Sequence, residues 1–162
     1  MRGNILIAYY SRSGNTRKLA QLIHQKVGGT VHEIQPEIPY PASYNATVEQ
    51  AKKEIQAGFR PPLKTKIEHI EAYDTIFLGS PNWWSTIAPP VATFLEENDL
   101  SGKTIIPFCT HGGGGRGRIE RDIAKLCPQS TVMPALAIYG SGGKDAEAQV
   151  SAWLKSMGFT EK

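Results

Sequence analysis

Three short segments carry residue types suited to holding a small, charged, planar ligand. The first, Ser11-Arg12-Ser13-Gly14-Asn15-Thr16, sets three hydroxyls, an amide and a glycine directly before a run with helical spacing. Free backbone N–H groups and the positive dipole end of a helix N-terminus attract an anion, and nearby hydroxyls add donors, so a phosphate fits there. The plainer alternative is a polar turn with a helix cap. This segment is neither G-x-x-x-x-G-K-[ST] nor G-x-G-x-x-G, so neither of those nucleotide motifs explains it. The second segment, Ser80-Pro81-Asn82-Trp83-Trp84-Ser85-Thr86, places two adjacent tryptophans in a turn. They either pack on a neighbouring loop or form an aromatic wall for a planar ligand. The third, Thr110-His111-Gly112-Gly113-Gly114-Gly115-Arg116-Gly117-Arg118, has a glycine run that lets backbone approach a flat ligand closely. His111 either donates a proton or hydrogen bond to such a ligand or caps a strand end.

The elements that must position these segments alternate between strand and helix. Ile5-Leu6-Ile7-Ala8-Tyr9 is continuously apolar, the pattern of a strand buried on both faces. Thr75 to Gly79 and Thr104 to Cys109 read alike, and Thr30 to Ile34 and Thr131 to Tyr139 complete five strands. Leu19, Ile23 and Val27 recur at helical spacing before Gly28-Gly29. A second helix over Thr47 to Ala57 opens on the capping box Thr47-x-x-Gln50, with Val48, Ala51 and Ile55 on one face. A third starts near Pro89-Pro90 and buries Val91, Phe94 and Leu95. A fourth carries Ile119, Ile123 and Leu126, and a fifth runs from about Asp145 to Met157. Such alternation predicts an α/β fold: a single domain over 1–162 built on a doubly wound, five-stranded parallel sheet of order 2-1-3-4-5. Pro134 places the last strand at an edge. Pro107 lies in an internal strand and predicts a bulge or an early strand end there. The stretch from Pro36 to Lys66, with Tyr40, Tyr44 and Arg60-Pro61-Pro62, is longer than a minimal crossover. It is expected to lengthen one helix rather than to pack beside a ligand.

In an open parallel sheet, ligands bind beyond the carboxyl ends of the strands, where the strand order reverses. With order 2-1-3-4-5 that point lies between strands 1 and 3. The three segments follow strands 1, 3 and 4, so they converge on it.

The first segment resembles the phosphate-binding segment of flavodoxins, hydroxyl-x-hydroxyl-Gly-x-Thr after an apolar first strand. Ser11, Ser13, Asn15 and Thr16 match it position by position. The resemblance spans the chain and is to the short-chain form, since little more than one strand and one helix fits after Pro128. It implies FMN as the cofactor, with its 5′-phosphate held by Ser11, Arg12, Ser13, Gly14, Asn15 and Thr16. Arg12 falls at a variable position, where it reaches the phosphate or lies in solvent. Pro81, Asn82, Trp83 and Trp84 resemble the loop flanking the isoalloxazine, where a backbone carbonyl bonds N5–H of the reduced flavin. Asn82 tolerates left-handed backbone, so the peptides around Asn82 and Trp83 are the candidates. Thr110, His111, Gly112, Gly113 and Gly114 resemble the third flavin loop, near the pyrimidine edge. The resemblance implies electron transfer between a reductase and an acceptor protein. The alternative is an FMN-dependent NAD(P)H:quinone-type oxidoreductase acting on a small quinone-like acceptor. Acidic flavodoxins disfavour the anionic reduced flavin. Here the loops carry Arg12, Arg116 and Arg118, with Arg17 directly after the first segment, so the expected potential is less negative.

Composition sets the outer bounds. The chain has 162 residues, 40% apolar and 20% charged, which is a globular balance in the size range of one domain. Its net charge of +3 is too small and too dispersed for a dedicated nucleic-acid binder. No apolar run approaches the roughly 20 residues of a membrane span, and no insertion is expected. The start, Met1-Arg2-Gly3-Asn4 followed by Ile5 to Tyr10, is too short for a signal-peptide core. Cys109 and Cys127 are far apart and form no C-x-x-C, so neither zinc nor a disulfide framework is expected, and a reducing cytoplasm is the expected compartment. No metal site and no catalytic triad is expected. A receiver domain needs an acidic cluster and a phospho-acceptor Asp that the sequence lacks, and a low-molecular-weight phosphatase needs a cysteine in the first loop.

Overall fold

The computed structural model describes residues 4–140 and 142–159. Met1, Arg2 and Gly3, part of the start read above, lie outside the described residues. The strands are β1 (Ile5–Tyr9), β2 (Thr30–Glu33), β3 (Thr75–Pro81), β4 (Thr104–His111), β5 (Thr131–Val132) and β6 (Leu136–Tyr139). The helices are α1 (Asn15–Val27), α2 (Tyr44–Ala57), α3 (Pro89–Glu97), α4 (Ile119–Leu126) and α5 (Ala146–Ser156). All strand pairings are parallel, in the order β2-β1-β3-β4-β5, with β6 also beside β4. This is the doubly wound topology expected from the alternation.

β1 shows why the sheet needs helices on both faces. Ile5, Ile7 and Tyr9 pack with Leu19 and Ile23 of α1 and with Val150 and Leu154 of α5. Leu6 and Ala8 point the other way, into Val91, Phe94 and Leu95 of α3 and Ile119 and Ile123 of α4. Fully burying one such side chain is worth about 1.5–3 kcal/mol, so the two cores dominate the fold's stability.

The two prolines resolve together. The fifth strand is not continuous: Met133-Pro134-Ala135 separates β5 from β6, and both short strands lie at the edge beside β4. Pro107 makes no bulge, because β4 keeps register with β3 from Thr75↔Thr104 through Leu78↔Pro107 to Pro81↔Thr110. The Ile105 carbonyl accepts from Met133 N–H at 2.9 Å, and the His111 carbonyl accepts from Gly140 N–H at 2.8 Å. Backbone groups alternate sides along a strand, so Pro107 faces the β5–β6 gap. Its missing N–H falls where no ladder bond is needed. The gap's Ala135 N–H is taken up by the Glu120 carboxylate of α4.

The start of α2 also differs from expectation. Ser43 is the cap, its hydroxyl accepting from Ala46 N–H at 3.3 Å. Thr47 sits one turn inside the helix, and its hydroxyl donates toward the carbonyls of Pro41 at 2.8 Å and Ser43 at 3.0 Å. Gln50 donates to Glu54 at 2.9 Å instead of closing a capping box. Residues Gln35 to Lys64 leave the sheet and return, closed at their base by Glu37 N–H on the Pro62 carbonyl and Lys64 N–H on the Gln35 carbonyl.

Candidate functional site

A cleft of about 540 Å³ opens at the carboxyl ends of β1, β3 and β4, within the roughly 300–1,000 Å³ of small-molecule sites. Arg12, Ser13, Asn15 and Thr16 line it from the first loop, Pro81, Asn82, Trp83 and Trp84 from the second, and Thr110, His111 and Gly112 from the third. Among the expected site residues, Ser11, Gly14, Gly113 and Gly114 are not in its lining. Ser11 instead supports the first loop, its Oγ accepting from Gly14 N–H at 3.0 Å.

The first loop is built to leave donors at the end of α1. Gly14 caps the helix in the left-handed region, at φ 99, and offers no side chain. Lys18 N–H is the first to close onto it, on the Gly14 carbonyl at 3.0 Å. No side chain caps α1, so the N–H groups of its first turn face the cleft end of the helix unmatched by a carboxylate or hydroxyl cap. A Cβ placed on Gly14 would meet nothing within 4 Å. This is an open cradle with anion chemistry, and a phosphate monoester fits it.

Buried contacts tie the three loops together. The Thr16 and Thr110 hydroxyls meet at 2.8 Å, both side chains being buried. Asn82 N–H donates to the Thr110 carbonyl at 2.8 Å, and Asn82 Nδ2 donates to the Gly115 carbonyl at 2.7 Å. Trp83 and Thr86 exchange backbone bonds of 3.0 and 3.1 Å around a two-residue turn. The left-handed residues of this loop are therefore Trp84 (φ 54) and Ser85 (φ 67), not Asn82. Positive φ at a bulky aromatic residue is strained and is retained where surroundings over-determine it. Here Trp84 Nε1 donates to the Val48 carbonyl at 3.0 Å, Lys52 Nζ lies 5.2 Å from the Trp84 ring, and the Ser85 carbonyl accepts from Arg118 N–H at 2.6 Å.

The expectation that Pro36 to Lys66 only lengthens a helix gives way. Tyr44, Thr47, Val48 and Ala51 of α2 form a wall of the cleft. Arg12 fastens that wall: its Nε donates to Thr47 Oγ1 at 3.1 Å, and an Nη donates to the carbonyls of Ala42 at 2.8 Å and Pro41 at 3.4 Å. Tyr139, the last residue of β6, and Gly140 after it complete the lining. The apolar face of Val48 and Ala51 was legible, but not what it faces. Tyr139-Gly140 sits at a strand's carboxyl end, the signal that could have found it.

His111 is partly settled. A backbone amide can only donate, so the 3.0 Å contact from Gly113 N–H makes Nδ1 an acceptor and leaves Nε2 as the donor of the neutral ring. Its ring meets Tyr139 edge-on, with centroids 5.7 Å apart. Cys109 lies behind the loop with its thiol pushed up to about 12 by burial. Among the described residues no group of three or more His, Cys, Asp or Glu side chains could hold a metal ion, and no helix is long and apolar enough to cross a membrane.

A family model described as Flavodoxin matches residues 4–157. No curated protein sequence matches the chain. A candidate flavoprotein of Bacteroides eggerthii is 31% identical, with a TM-score of 0.85 over 98% of this chain and 99% of that one. A flavoprotein of Lactobacillus acidophilus, solved in complex with FMN, is 25% identical, with a TM-score of 0.73 over 93% and 98%. Oxidised flavodoxin 2 of Bacillus cereus, at 20% identity, shares the fold with a TM-score of 0.60 over 94% and 96%.

Proposed function

Because the chain belongs to the flavodoxin family, we propose that it holds FMN in this cleft and transfers electrons between protein partners, a reductase and an acceptor. The observation that carries the reading is the convergence of the loops after β1, β3 and β4 on one cleft beside the uncapped N-terminus of α1. FMN, when bound, supplies reversible uptake and release of electrons. The N–H groups of the first turn of α1, with Ser13, Asn15 and Thr16, hold the phosphate. Trp83 and Trp84 wall the ring and exclude water. Asn82, bonded to both Thr110 and Gly115, fixes the second loop against the third. His111 offers its Nε2–H as a donor to the cofactor. Backbone, hydroxyl and aromatic groups do this work, and among the described residues none is held as an activated nucleophile, so the chemistry of the cleft would rest on the flavin. The reading places the protein in a reducing cytoplasm, supported by the two free, buried cysteines.

The test is a titration of the purified protein with FMN and with riboflavin, followed by NADPH with and without a quinone. FMN binding well above riboflavin binding, without NADPH oxidation, is the result expected. Steady NADPH turnover with the quinone would replace the carrier with an oxidoreductase. Failure to bind FMN would remove both.

A further inference from the structure

Behind the second loop, the cleft wall continues from Trp83 into two further aromatic rings, Tyr40 and Tyr10, that the cofactor reading leaves unused. Trp83 lines the cleft. Its ring meets Tyr40 edge-on with centroids 5.0 Å apart, and Tyr10 lies 5.6 Å from Trp83 and 6.1 Å from Tyr40. The hydroxyl of Tyr40 donates to Glu54 Oε1 at 2.5 Å. Gln50 donates to the other carboxylate oxygen at 2.9 Å and so holds Oε1 toward the phenol. We infer that Trp83, Tyr40 and Glu54 form a one-electron relay out of the cleft, in which oxidation of Trp83 passes to Tyr40 while the phenol proton passes to Glu54.

Each part is needed for a physical reason. A phenol that loses an electron becomes a very strong acid, so tyrosine is an accessible electron donor only with a base in hydrogen-bond reach. Tyr40 has that base, whereas Tyr10 has no hydrogen-bonded carboxylate among the described residues. Burial, reinforced by the Glu54 contact, pushes the Tyr40 phenol well above its ordinary range. The proton therefore stays on oxygen until the electron leaves. An inorganic oxidising radical such as the azide radical takes one electron from the Trp83 indole and leaves as its anion, so the indole becomes a radical cation. Tyr40 returns one electron to that indole, its O–H bond breaks, and an O–H bond forms on Glu54. The products are neutral Trp83, a neutral tyrosyl radical and a protonated Glu54. Return of one electron to Tyr40, with the proton moving back from Glu54, restores the resting state of all three side chains. Such a path moves a damaging oxidising equivalent off the cleft wall, toward the partly exposed carboxylate of α2.

Pulse radiolysis of the full chain without added cofactor tests the relay independently of flavin binding. The azide radical serves as the one-electron oxidant that attacks tryptophan. Wild type should show a concentration-independent phase in which tryptophan radical absorbance falls as tyrosyl absorbance rises. Tyr40→Phe and Trp83→Phe should each lose that phase. Glu54→Gln, which keeps size but removes the base, should slow it about tenfold or more. Circular dichroism confirms that each variant is folded, and a variant that fails this check is replaced by Tyr40→Leu or Glu54→Met. Wild-type amplitude in Tyr40→Phe would put the radical on another tyrosine and overturn the relay. An unchanged rate in Glu54→Gln would overturn the role of the carboxylate.

Discussion

The contact between Thr16 and Thr110 allows a sharp test of how the first and third loops are joined. The residues lie 94 positions apart, and their hydroxyls meet at 2.8 Å. Their relative exposures are 1% and 5%, so water cannot replace either partner. Thr16→Val keeps the shape and removes one hydroxyl, leaving the Thr110 hydroxyl buried without its partner. A buried polar group stranded this way costs about 1–3 kcal/mol. Thr110→Val strands Thr16 by the same argument, again at about 1–3 kcal/mol. The double variant strands neither, and replacing both partners by apolar groups of the same shape is close to neutral. The single losses should therefore sum to about 2–6 kcal/mol while the double loss stays under about 1 kcal/mol. Urea unfolding of the cofactor-free protein reads this directly. With an m value of about 2 kcal/mol/M, each single variant moves the midpoint down by about 0.5–1.5 M, with m unchanged. FMN affinity gives a second reading of the same cycle. If Thr16 also donates to the phosphate, Thr16→Val weakens FMN binding by about tenfold or more whether or not Thr110 is changed. Additive stability losses in the double variant would refute the hydroxyl pair as the link between the loops.

Three further outcomes follow from local geometry. Gly79→Ala should lose about 1–3 kcal/mol in a thermal melt, because its Cβ would lie 2.4 Å from the Phe108 ring and 2.9 Å from Tyr9 Cβ; an unchanged melting temperature would contradict that packing. Ser85→Gly should gain up to about 1 kcal/mol by relieving a residue held at φ 67, and a lower urea midpoint would mean the turn is not strained. Stability should also fall at high pH. The Cys109 thiol rises from 9.0 to about 12 on folding, and the Tyr10 and Tyr40 phenols rise from 10.0, all mainly through burial. Their neutral forms favour the fold, so the contribution is complete below pH 9 and shrinks as pH climbs toward the folded values, by up to about 1.4 kcal/mol per pH unit per group. Urea midpoints measured from pH 8 to 11 check this, and Cys109→Ala should flatten the fall between pH 9 and 10, before the tyrosines contribute.

The parts of the site that were legible in the sequence are those that backbone periodicity alone determines. Continuous apolar strands and 3.6-residue helices set the alternation, Pro134 puts the last strand at an edge as the order 2-1-3-4-5 requires, and that order sets which loops meet. What stayed hidden depends on contacts between distant segments. The apolar face of Val48 and Ala51 predicts burial but not that α2 borders a cleft, because an apolar stripe does not encode what covers it. Thr47 and Gln50 fit a capping box, yet Ser43 won the cap because Thr47 is drawn to Pro41, Ser43 and Arg12. The left-handed pair Trp84-Ser85 lacks the Asn-Gly signature of such turns. Tertiary bonds from Val48 and Arg118 hold it there.

The same distinction changes what the basic loops mean. Counted along the chain, Arg12, Arg17, Arg116 and Arg118 make a positive rim. In space Arg17 meets Glu33 at 2.6 Å, Arg116 meets Glu120 at 3.1 Å, and Arg118 meets Asp122 at 3.6 Å. Each pair is a short dipole whose field at the cleft falls off much faster than that of a lone charge, and solvent screens it further because the pairs are substantially exposed. Arg12 differs. Its acceptors are a hydroxyl and two carbonyls, so its full charge remains at the cleft wall. Any shift of the reduced cofactor's potential caused by the basic loops should therefore rest chiefly on Arg12 and the N-terminus of α1. A potentiometric titration of Arg12→Gln against Arg116→Gln separates the two accounts. A more negative potential in the first and little change in the second is the expected pattern, and equal shifts would restore the rim as a collective charge.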